Sequence, residues 1–436
     1  MRAFDATTDP ALHSWADVAP GSDFPIQHLP YGAFVRAGEG TPRLGAAIGD
    51  AILDLRLVAH AGLLDDALDE AEYVFAQPVL NALLQRGKPT WRAVRATISR
   101  LLSAGDRSLH EAGIAERVLV PRSEVRSTLP LEVRDYVDFY SSREHATNVG
   151  RLLRPGGDPL MPNWTWIPIG YHGRAGSVVV TGTPVMRPNG QRKNPSDPAP
   201  SFGPSRLLDI ELELAFVTGD GPPLGTPVPV THAEEHIFGV ALCNDWSARD
   251  IQAWEYQPLG PFLSKSFATS LAGWITPLEA LEPFRVRGPV QDPAPLAYLT
   301  TQGEHHFDIA LEVELASEVM RREGIAPTVV TQTNFRGMYW SMAQQLAHLT
   351  SNGARLRAGD VNASGTISGF EPRSQGCLLE LTQRGAQPLE LADGTLRGFL
   401  EDGDSVTLRG RCTAEGAVPI GLGRVEGVIL AALPSV

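Results

Sequence analysis

Residues 208–214 read Leu208-Asp209-Ile210-Glu211-Leu212-Glu213-Leu214, a strict alternation of apolar and acidic side chains. Successive side chains of a β-strand point to opposite faces, so this alternation predicts a strand, which we extend over residues 207–217. Glu211 and Glu213 then share one face. If that face is buried, repulsion and desolvation raise the pKa of at least one carboxyl unless a cation neutralises the pair.

A solvated strand face is the competing interpretation for an isolated Glu-x-Glu pattern, because charged side chains mostly lie at the surface. A second such pattern, Glu312 and Glu314, shows that the spacing alone is not specific. The interpretation of Glu211 and Glu213 as a functional pair is strengthened by candidate site residues elsewhere in the chain. The stretch 138–148 begins with Asp138 and contains His145, and Asp245 follows a strongly apolar run.

Short strands dominate the rest of the chain. The 43 Gly and 35 Pro residues exceed the usual shares of about 7% and 5%, which favours many strands joined by tight turns. We predict an α+β, β-rich fold with further strands at residues 176–180, 237–243, 307–315, 378–381 and 405–408.

The chain divides near residue 120. Residues 24–57 predict the short strands of a small barrel, and residues 59–116 are rich in Leu and Ala and predict helices. We therefore predict domains over 1–120 and 121–436. Two helices are predicted in the second domain, one capped by Ser247 and running through Trp254, the other over 334–351. Residues 183–205, crowded with Pro, Gly, Asn and Ser, predict a long lid or interface loop.

Composition excludes several classes of function. The formal net charge of -13 argues against nucleic-acid binding, which depends on clustered Lys and Arg. No run approaches the ~18 apolar residues of a membrane-spanning helix, and the first thirty residues contain no apolar segment typical of a secretory signal. Three widely separated cysteines without a Cys-x-x-Cys pair favour a reducing cytoplasm.

Four carboxylates form a candidate metal site: Asp138, Glu211, Glu213 and Asp245. An all-oxygen set without a His-x-x-x-His or cysteine pattern suits Ca²⁺ or Mg²⁺ and disfavours zinc.

Three further elements predict the groups of a hydrolytic site. Arg249 and Gln252 share a helix face and can donate to an oxyanion, although an exposed amphipathic helix has the same spacing. Lys265, in an apolar segment, is either snorkelling to the surface or buried against carboxylates. His145 is either a core histidine or a general base oriented by Glu380, which interrupts the apolar 378–381 strand.

The chain resembles the fumarylacetoacetate hydrolase family. The resemblance rests on residues 22–25, 138–150, 162–164, 170–175, 206–213, 235–239, 244–267 and 364–369, of which the 244–267 block is the most specific. It implies a small N-terminal SH3-like barrel, a larger mixed β-roll domain and a homodimer.

The resemblance also assigns roles to residues of this sequence. It implies a Ca²⁺ site at the four carboxylates and a Mg²⁺-type site at Lys265 and Thr269. His145 activates water with Glu380 behind it, and Arg249, Gln252 and Lys265 hold the developing oxyanion. Further residues line the substrate pocket: Tyr140, Arg154, Tyr171, Tyr256 and Thr366. Ala268 stands where the family pattern has Gly, a departure that concerns the second metal site.

The activity implied is metal-dependent hydrolysis of the carbon–carbon bond of 4-fumarylacetoacetate to fumarate and acetoacetate, the last step of tyrosine and phenylalanine breakdown. Two alternatives stay open. One is hydrolysis or decarboxylation of another short oxo acid, such as an acylpyruvate or oxaloacetate. The other is a metal-binding scaffold without catalysis.

Overall fold

The computed structural model describes residues 5–154 and 156–434, which fold into a β-rich α+β structure. A large sheet has ten strands along its main path, Leu119–Pro121, Ala51–Asp54, Arg43–Ile48, Tyr31–Arg36, Trp274–Pro277, Ile237–Asp245, Leu212–Thr218, Val361–Ala363, Tyr136–Phe139 and Gly170–His172. Three more strands branch from it, Val125–Thr128, Thr269–Leu271 and Val178–Val180.

A second sheet has five strands, Thr328–Asn334, Ala310–Ala316, Ser405–Cys412, Ile420–Leu430 and Val185–Met186. Four two-stranded ribbons complete the β-structure, Asn189–Arg192 with Ser201–Pro204, Leu208–Asp209 with Ser247–Ala248, Arg285–Val286 with His306–Phe307, and Leu389–Glu390 with Leu396–Arg397.

The helices are short apart from one in the N-terminal region. The α-helices span Leu55–His60, Ala71–Ala76, Asn81–Leu84, Gly87–Leu102, Ser108–Glu111, Ala115–Val118, Arg143–Leu153, Arg249–Glu255, Leu278–Leu281, Glu318–Glu323, Met342–Thr350 and Leu378–Leu381. The 3₁₀ turns span Arg122–Glu124, Ala175–Ser177, Val230–Glu235, Glu282–Phe284, Ala297–Leu299 and Phe335–Gly337. None of the described helices is long and apolar enough to cross a membrane.

The N-terminal strands and helices follow the sequence prediction, but the strands are continuous with the main sheet. Strand Tyr31–Arg36 pairs antiparallel with Trp274–Pro277 through Tyr31↔Ile275 and Gly32↔Trp274. Gly32 is required at this contact because a Cβ there would lie 2.5 Å from the Gly273 carbonyl oxygen. Among the described residues the N-terminal strands do not close into a barrel. The division at residue 120 stays a prediction.

Asp54 anchors the N-terminal strands to the first helix. Its Oδ1 accepts from the backbone N–H of Arg56 at 3.1 Å and caps the helix, while Oδ2 accepts from Arg36 at 3.2 Å and Arg43 at 2.9 Å. We expect Asp54→Ala to lower the free energy of unfolding by about 2 kcal/mol, since the cap contributes about 1 kcal/mol and the rest is the lost buried partner of two arginines. Urea denaturation measures the loss. The exposed Asp66→Ala is the control, and an equal loss there would contradict this role.

The predicted strand over 207–217 is wrong at its centre. The structure has two strands, Leu208–Asp209 and Leu212–Thr218. Asp209 explains the break, because its carboxylate accepts from the N–H groups of Leu378 and Leu379 at 2.7 and 3.0 Å. The same contacts cap a short helix, Leu378–Leu381, where the sequence predicted a strand.

Two predicted helix boundaries are also wrong. Ser247 does not cap a helix: its hydroxyl donates to the Asp245 carbonyl, residues 247–248 form a strand, and the helix begins at Arg249. The predicted helix over 334–351 is a 3₁₀ turn, Phe335–Gly337, followed by Met342–Thr350, because Ser341 forms a capping box with Gln344.

The predicted loop over 183–205 contains regular structure. Strand Val185–Met186 joins the second sheet, and Asn189–Arg192 pairs with Ser201–Pro204 as a hairpin. The hairpin packs closely on the helix Arg249–Glu255, since a Cβ at Gly190 would lie 2.6 Å from the Ile251 side chain. Its role as a lid or an interface stays a prediction.

Candidate active site

Four carboxylates meet inside the main sheet. Asp138, Glu211, Glu213 and Asp245 are all buried, and one oxygen of each lies within 4.8 Å of the others. The fold explains their approach. Asp245 ends the central strand Ile237–Asp245, and Glu213 pairs with Cys243 on that strand, so both lie at one end of the same pair. This is the set that the sequence predicted.

Three cationic side chains surround the cluster, and two of them bridge carboxylates. Lys265 Nζ lies 2.5 Å from Glu211 Oε2 and 2.5 Å from Asp245 Oδ2, so Lys265 is buried and is not snorkelling to the surface. Arg174 donates to Asp138 Oδ2 at 2.6 Å and to Asp245 Oδ2 at 2.7 Å. These contacts hold the carboxylates together against their mutual repulsion.

The carboxyl groups of the cluster differ in the direction in which their pKa values are shifted. Burial alone would raise the pKa of Glu211, but the charges of Lys265 and Arg249 outweigh it and lower that pKa. Burial raises the pKa of Asp138 to about 6, and burial followed by the charge of Asp138 raises the pKa of Glu213 well above its usual value. The protein's own cations therefore do not fully offset the burial and mutual repulsion of these carboxyl groups.

Glu213 shows most directly that the cluster suits a metal ion. Its Oε2 accepts from the Gly365 N–H at 3.0 Å, while its Oε1 is buried with no hydrogen-bond partner among the described residues. A buried carboxylate oxygen without a donor is costly, and a hard divalent cation is the partner that such an oxygen prefers. The four oxygens are of the type that Ca²⁺ and Mg²⁺ bind.

His145 and Glu380 form the predicted pair. His145 Nδ1 lies 2.6 Å from Glu380 Oε2, and both side chains are buried. Three donors hold Glu380, from Asn148 at 2.9 Å, Ser368 at 2.9 Å and the Cys377 thiol at 3.1 Å. Burial alone would raise the pKa of Glu380, but the charge of His145 and these hydrogen bonds lower it. Glu380 is thus an ionised, fixed acceptor.

Arg249, the first residue of the helix Arg249–Glu255, contacts the carboxylate cluster. Its Nε donates to Asp209 Oδ2 at 2.8 Å, and its Nη1 lies 2.8 Å from Glu211 Oε1 and donates to Gln252 Oε1 at 3.1 Å. The predicted proximity of Arg249 and Gln252 is therefore present. The remaining Nη2 is buried without a partner among the described residues, which leaves a donor for a bound oxygen.

Two of the predicted substrate residues lie beside these groups, and a third is buried. The Tyr140 and His145 rings are 5.3 Å apart, edge to face, and the Tyr171 hydroxyl donates to Asp138 Oδ2 at 2.8 Å. Thr366 is buried, and its hydroxyl has no hydrogen-bond partner among the described residues.

The other two predicted substrate residues lie on exposed segments. Arg154 donates to the Pro159 carbonyl at 2.6 Å, and the Tyr256 hydroxyl accepts from Gln257 at 3.1 Å. Their place at a substrate stays a prediction.

The residues predicted for a second metal site also touch the cluster. The Thr269 hydroxyl donates to Asp245 Oδ1 at 2.9 Å. Burial alone would lower the pKa of Lys265, but the charge of Asp245 and then that of Glu211 outweigh it and raise that pKa. Nζ is therefore a donor and not a metal ligand. Only the backbone carbonyl of Lys265 can ligate a cation. Ala268, between the two, is buried.

Arg174 is the residue that the sequence analysis missed. It lies in the left-handed region at φ 54°, its side chain is 4% exposed, and it packs between the rings of Tyr136 and Tyr171 at 4.8 and 5.0 Å. A non-glycine residue rarely adopts this backbone, so packing and two ion pairs must hold it there. The sequence 170–175 matched the family, but that match gave no role for Arg174.

The comparisons with known proteins agree with this geometry. The family described as Fumarylacetoacetate (FAA) hydrolase C-terminal matches residues 135–429, and that described as Fumarylacetoacetase N-terminal matches residues 27–130. The chain is 48% identical over 421 residues to the fumarylacetoacetase of Bos taurus, covering 96% of this chain and 99% of that protein. The chain belongs to the fumarylacetoacetase family.

Other fumarylacetoacetase-family proteins extend the comparison. The fumarylacetoacetase of Caenorhabditis elegans is 49% identical over 426 residues, covering 97% of this chain and 100% of that protein. A solved fumarylacetoacetate hydrolase from the psychrophile Exiguobacterium antarcticum is 18% identical, with a TM-score of 0.51 over 92% of this chain and 99% of that chain. The second likeness shows the fold alone. The family relatives match both regions of the chain, including the N-terminal strands.

Proposed function

We propose that this protein hydrolyses the carbon–carbon bond of 4-fumarylacetoacetate to give fumarate and acetoacetate, as the final step of tyrosine and phenylalanine breakdown. The observation that supports this best is a buried cluster of four carboxylates with His145 and Glu380 nearby, in a chain 48% identical to a protein named fumarylacetoacetase. The cluster and His145 interact electrostatically, since the charge of His145 lowers the pKa of Glu211.

His145 is the proposed general base. Because Nδ1 is held by Glu380, the ring presents Nε2 to a water molecule and accepts its proton there. Glu380 fixes the tautomer and stabilises the imidazolium that forms, without taking the proton itself. The water oxygen then adds to a carbonyl of the 1,3-diketone, the carbon–carbon bond breaks, and the carbon leaving group departs as an enolate that takes the proton from His145 to give acetoacetate.

Both steps place negative charge on oxygen, and the cationic residues of the site stabilise that charge. Arg249 offers its unpartnered Nη2 and Lys265 its ammonium, both buried where solvent does not screen them. Gln252 is held by Arg249 and faces the same region. We assign Arg249, Lys265 and Gln252 to the developing oxyanion.

The four carboxylates are the proposed ligands of Ca²⁺, and Thr269 with the backbone of Lys265 the proposed contacts of Mg²⁺. A divalent ion bound there supplies Lewis-acid stabilisation of the substrate oxygens. Arg174, by holding Asp138 and Asp245, keeps two of the ligands in place.

The finer structural assignments belong to the same proposal. Five residues line the substrate pocket, Tyr140, Arg154, Tyr171, Tyr256 and Thr366, together with Arg249 and Gln252. We assign the N-terminal strands, which stay open in the pairing described above, to a small SH3-like barrel fold, and the larger region to a β-roll. The protein is a cytoplasmic homodimer that binds neither nucleic acid nor membranes, in keeping with its net charge of -13.

Product analysis tests the proposed substrate against its alternatives. Purified protein is incubated separately with fumarylacetoacetate, an acylpyruvate and oxaloacetate, and the products are identified by NMR. We expect equimolar fumarate and acetoacetate from the first and at least about 10²-fold lower kcat/KM with the others, because their shorter chains lose binding contacts. Preferred turnover of another oxo acid, or binding of fumarylacetoacetate without turnover, would favour the alternatives.

Glu380→Gln tests the orienting carboxylate. The amide keeps the shape but removes the charge that stabilises imidazolium, so we expect kcat to fall by about 10²- to 10⁴-fold. Glu390→Gln, at an exposed glutamate, is the control. An unchanged kcat in Glu380→Gln would remove Glu380 from the mechanism.

A further inference from the structure

A cavity lies away from the carboxylate cluster, where the N-terminal strands meet the two sheets. It has a volume of about 540 Å³, within the range of small-molecule sites. Its walls come from the strands Val125–Thr128, Val178–Val180, Trp274–Pro277 and Ile420–Leu430. None of its lining residues belongs to the site described above.

The lining of this cavity is cationic. Its charged residues are four arginines and two acids, Arg122, Arg126, Arg409, Arg424, Asp23 and Glu426. The excess of arginine in this cavity is opposite in sign to the net charge of -13 of the whole chain. Arginine presents a planar fork of donors that matches carboxylate and phosphate groups.

Arg122 and Arg126 have no ion-pair partner within the described part of the chain. Arg122 is half-buried with its guanidinium 4.5 Å from the centre of the Phe24 ring, and its one side-chain hydrogen bond is a 3.5 Å contact to the Gly49 carbonyl. Burial lowers the pKa of Arg122, the charges of Asp50 and Asp23 oppose that shift, and the charge of Arg424 adds to it. A half-buried guanidinium with so weak a partner retains free donors.

The other charged residues leave room for an anion. Arg409 pairs with Glu314, outside the cavity lining, and Arg424 with Glu426 at 3.1 Å, with both members of that second pair well exposed. Exposed pairs of this kind are worth little and exchange readily. Asp23 pairs with Arg411 at 3.2 Å, and with side chains 42% and 44% exposed this pair exchanges as readily.

We propose that this cavity binds a small molecule with two or more carboxylate or phosphate groups, held by Arg122 and Arg424 with help from Arg126. The ligand joins the N-terminal strands to the strand Ile420–Leu430. Binding therefore stabilises the folded chain as well as filling the cavity.

Calorimetric titration of the full-length protein tests the site. The probes are tricarballylate for the carboxylate class and fructose 1,6-bisphosphate for the phosphate class, at constant ionic strength and with Mg²⁺ in excess so that chelation does not alter metal content. We expect at least one probe to bind once per chain, at least tenfold more weakly to Arg122→Gln and to Arg424→Gln. The probe that binds identifies the anion class.

A second cavity variant and a control outside the cavity separate loss of binding from misfolding and from a general effect of charge. Arg424 is exposed, so Arg424→Gln is expected to fold even if Arg122→Gln does not. Arg322→Gln removes the same charge at an exposed site outside the cavity and is expected to leave binding unchanged. Failure of both probes to bind the wild-type protein, or equal weakening by Arg322→Gln, would overturn the proposal.

Discussion

His145→Ala is expected to lower kcat on fumarylacetoacetate by about 10²- to 10⁴-fold, the usual contribution of a general base. The structure gives the reason: Nδ1 is fixed by Glu380 at 2.6 Å, which leaves Nε2 as the ring atom that can accept a proton from water. His145 is not one of the four proposed calcium ligands, so the calcium affinity is expected to change little. Steady-state kinetics and calcium titration of the same protein preparation measure both quantities.

The control for this variant is His232→Ala, which makes the same change at an exposed position. Its kcat and its calcium affinity are both expected to equal those of the wild type. Parallel loss of turnover and calcium affinity in His145→Ala would mean that His145 supports the structure of the site and is not its base. Full activity in His145→Ala would exclude it from the reaction.

Glu213→Gln is expected to abolish tight calcium binding and, with it, turnover. Glu213 is the cluster member whose Oε1 has no partner in the described structure and whose pKa burial raises most clearly, so it lacks a counter-charge of the protein's own. Because burial and its acidic neighbours already favour the neutral form of Glu213, the amide costs little in chelated protein, but it removes a metal ligand. A site occupied at 100 times its Kd stabilises the fold by about 2.7 kcal/mol, and the variant is expected to lose most of that increment.

Thermal unfolding with excess calcium and with chelator separates the two effects. In chelator the melting temperature of Glu213→Gln is expected to equal or exceed that of the wild type, and in calcium to fall below it. Glu314→Gln is the matched control, because it lies in the second Glu-x-Glu pattern and pairs with Arg409. Equal stabilisation of Glu213→Gln and wild type by calcium would place the cation elsewhere.

The residues that form the site could be predicted from the sequence more accurately than the backbone conformation that holds them. The alternation around Glu211 and Glu213 correctly indicated neighbouring buried carboxylates, yet the strand breaks at Ile210 and Glu211. Asp209 causes the break by capping the helix Leu378–Leu381, a contact across 169 residues for Leu378. Local pattern contains no information on such a partner. The His145–Glu380 contact was predicted correctly although Glu380 lies on a helix and not on a strand.

Helix boundaries failed for a related reason. Ser247 is a favourable cap by residue type, but pairing of residues 247–248 with 208–209 holds it in a strand. Arg174 was missed because its position depends on three separate chain segments meeting, those of Asp138, Asp245 and its own left-handed turn. An arginine in a Gly-rich turn gives no sequence signal for a bridge between two buried carboxylates.

The loss of fumarylacetoacetate absorbance, followed with purified protein in calcium or magnesium and after exhaustive chelation, tests the central claim most directly. The proposed mechanism predicts rapid loss with the cation, near-complete inhibition by chelation, and recovery when the cation is restored. Unchanged turnover after chelation would contradict metal dependence. No turnover of fumarylacetoacetate under any of these conditions would contradict the proposed function itself.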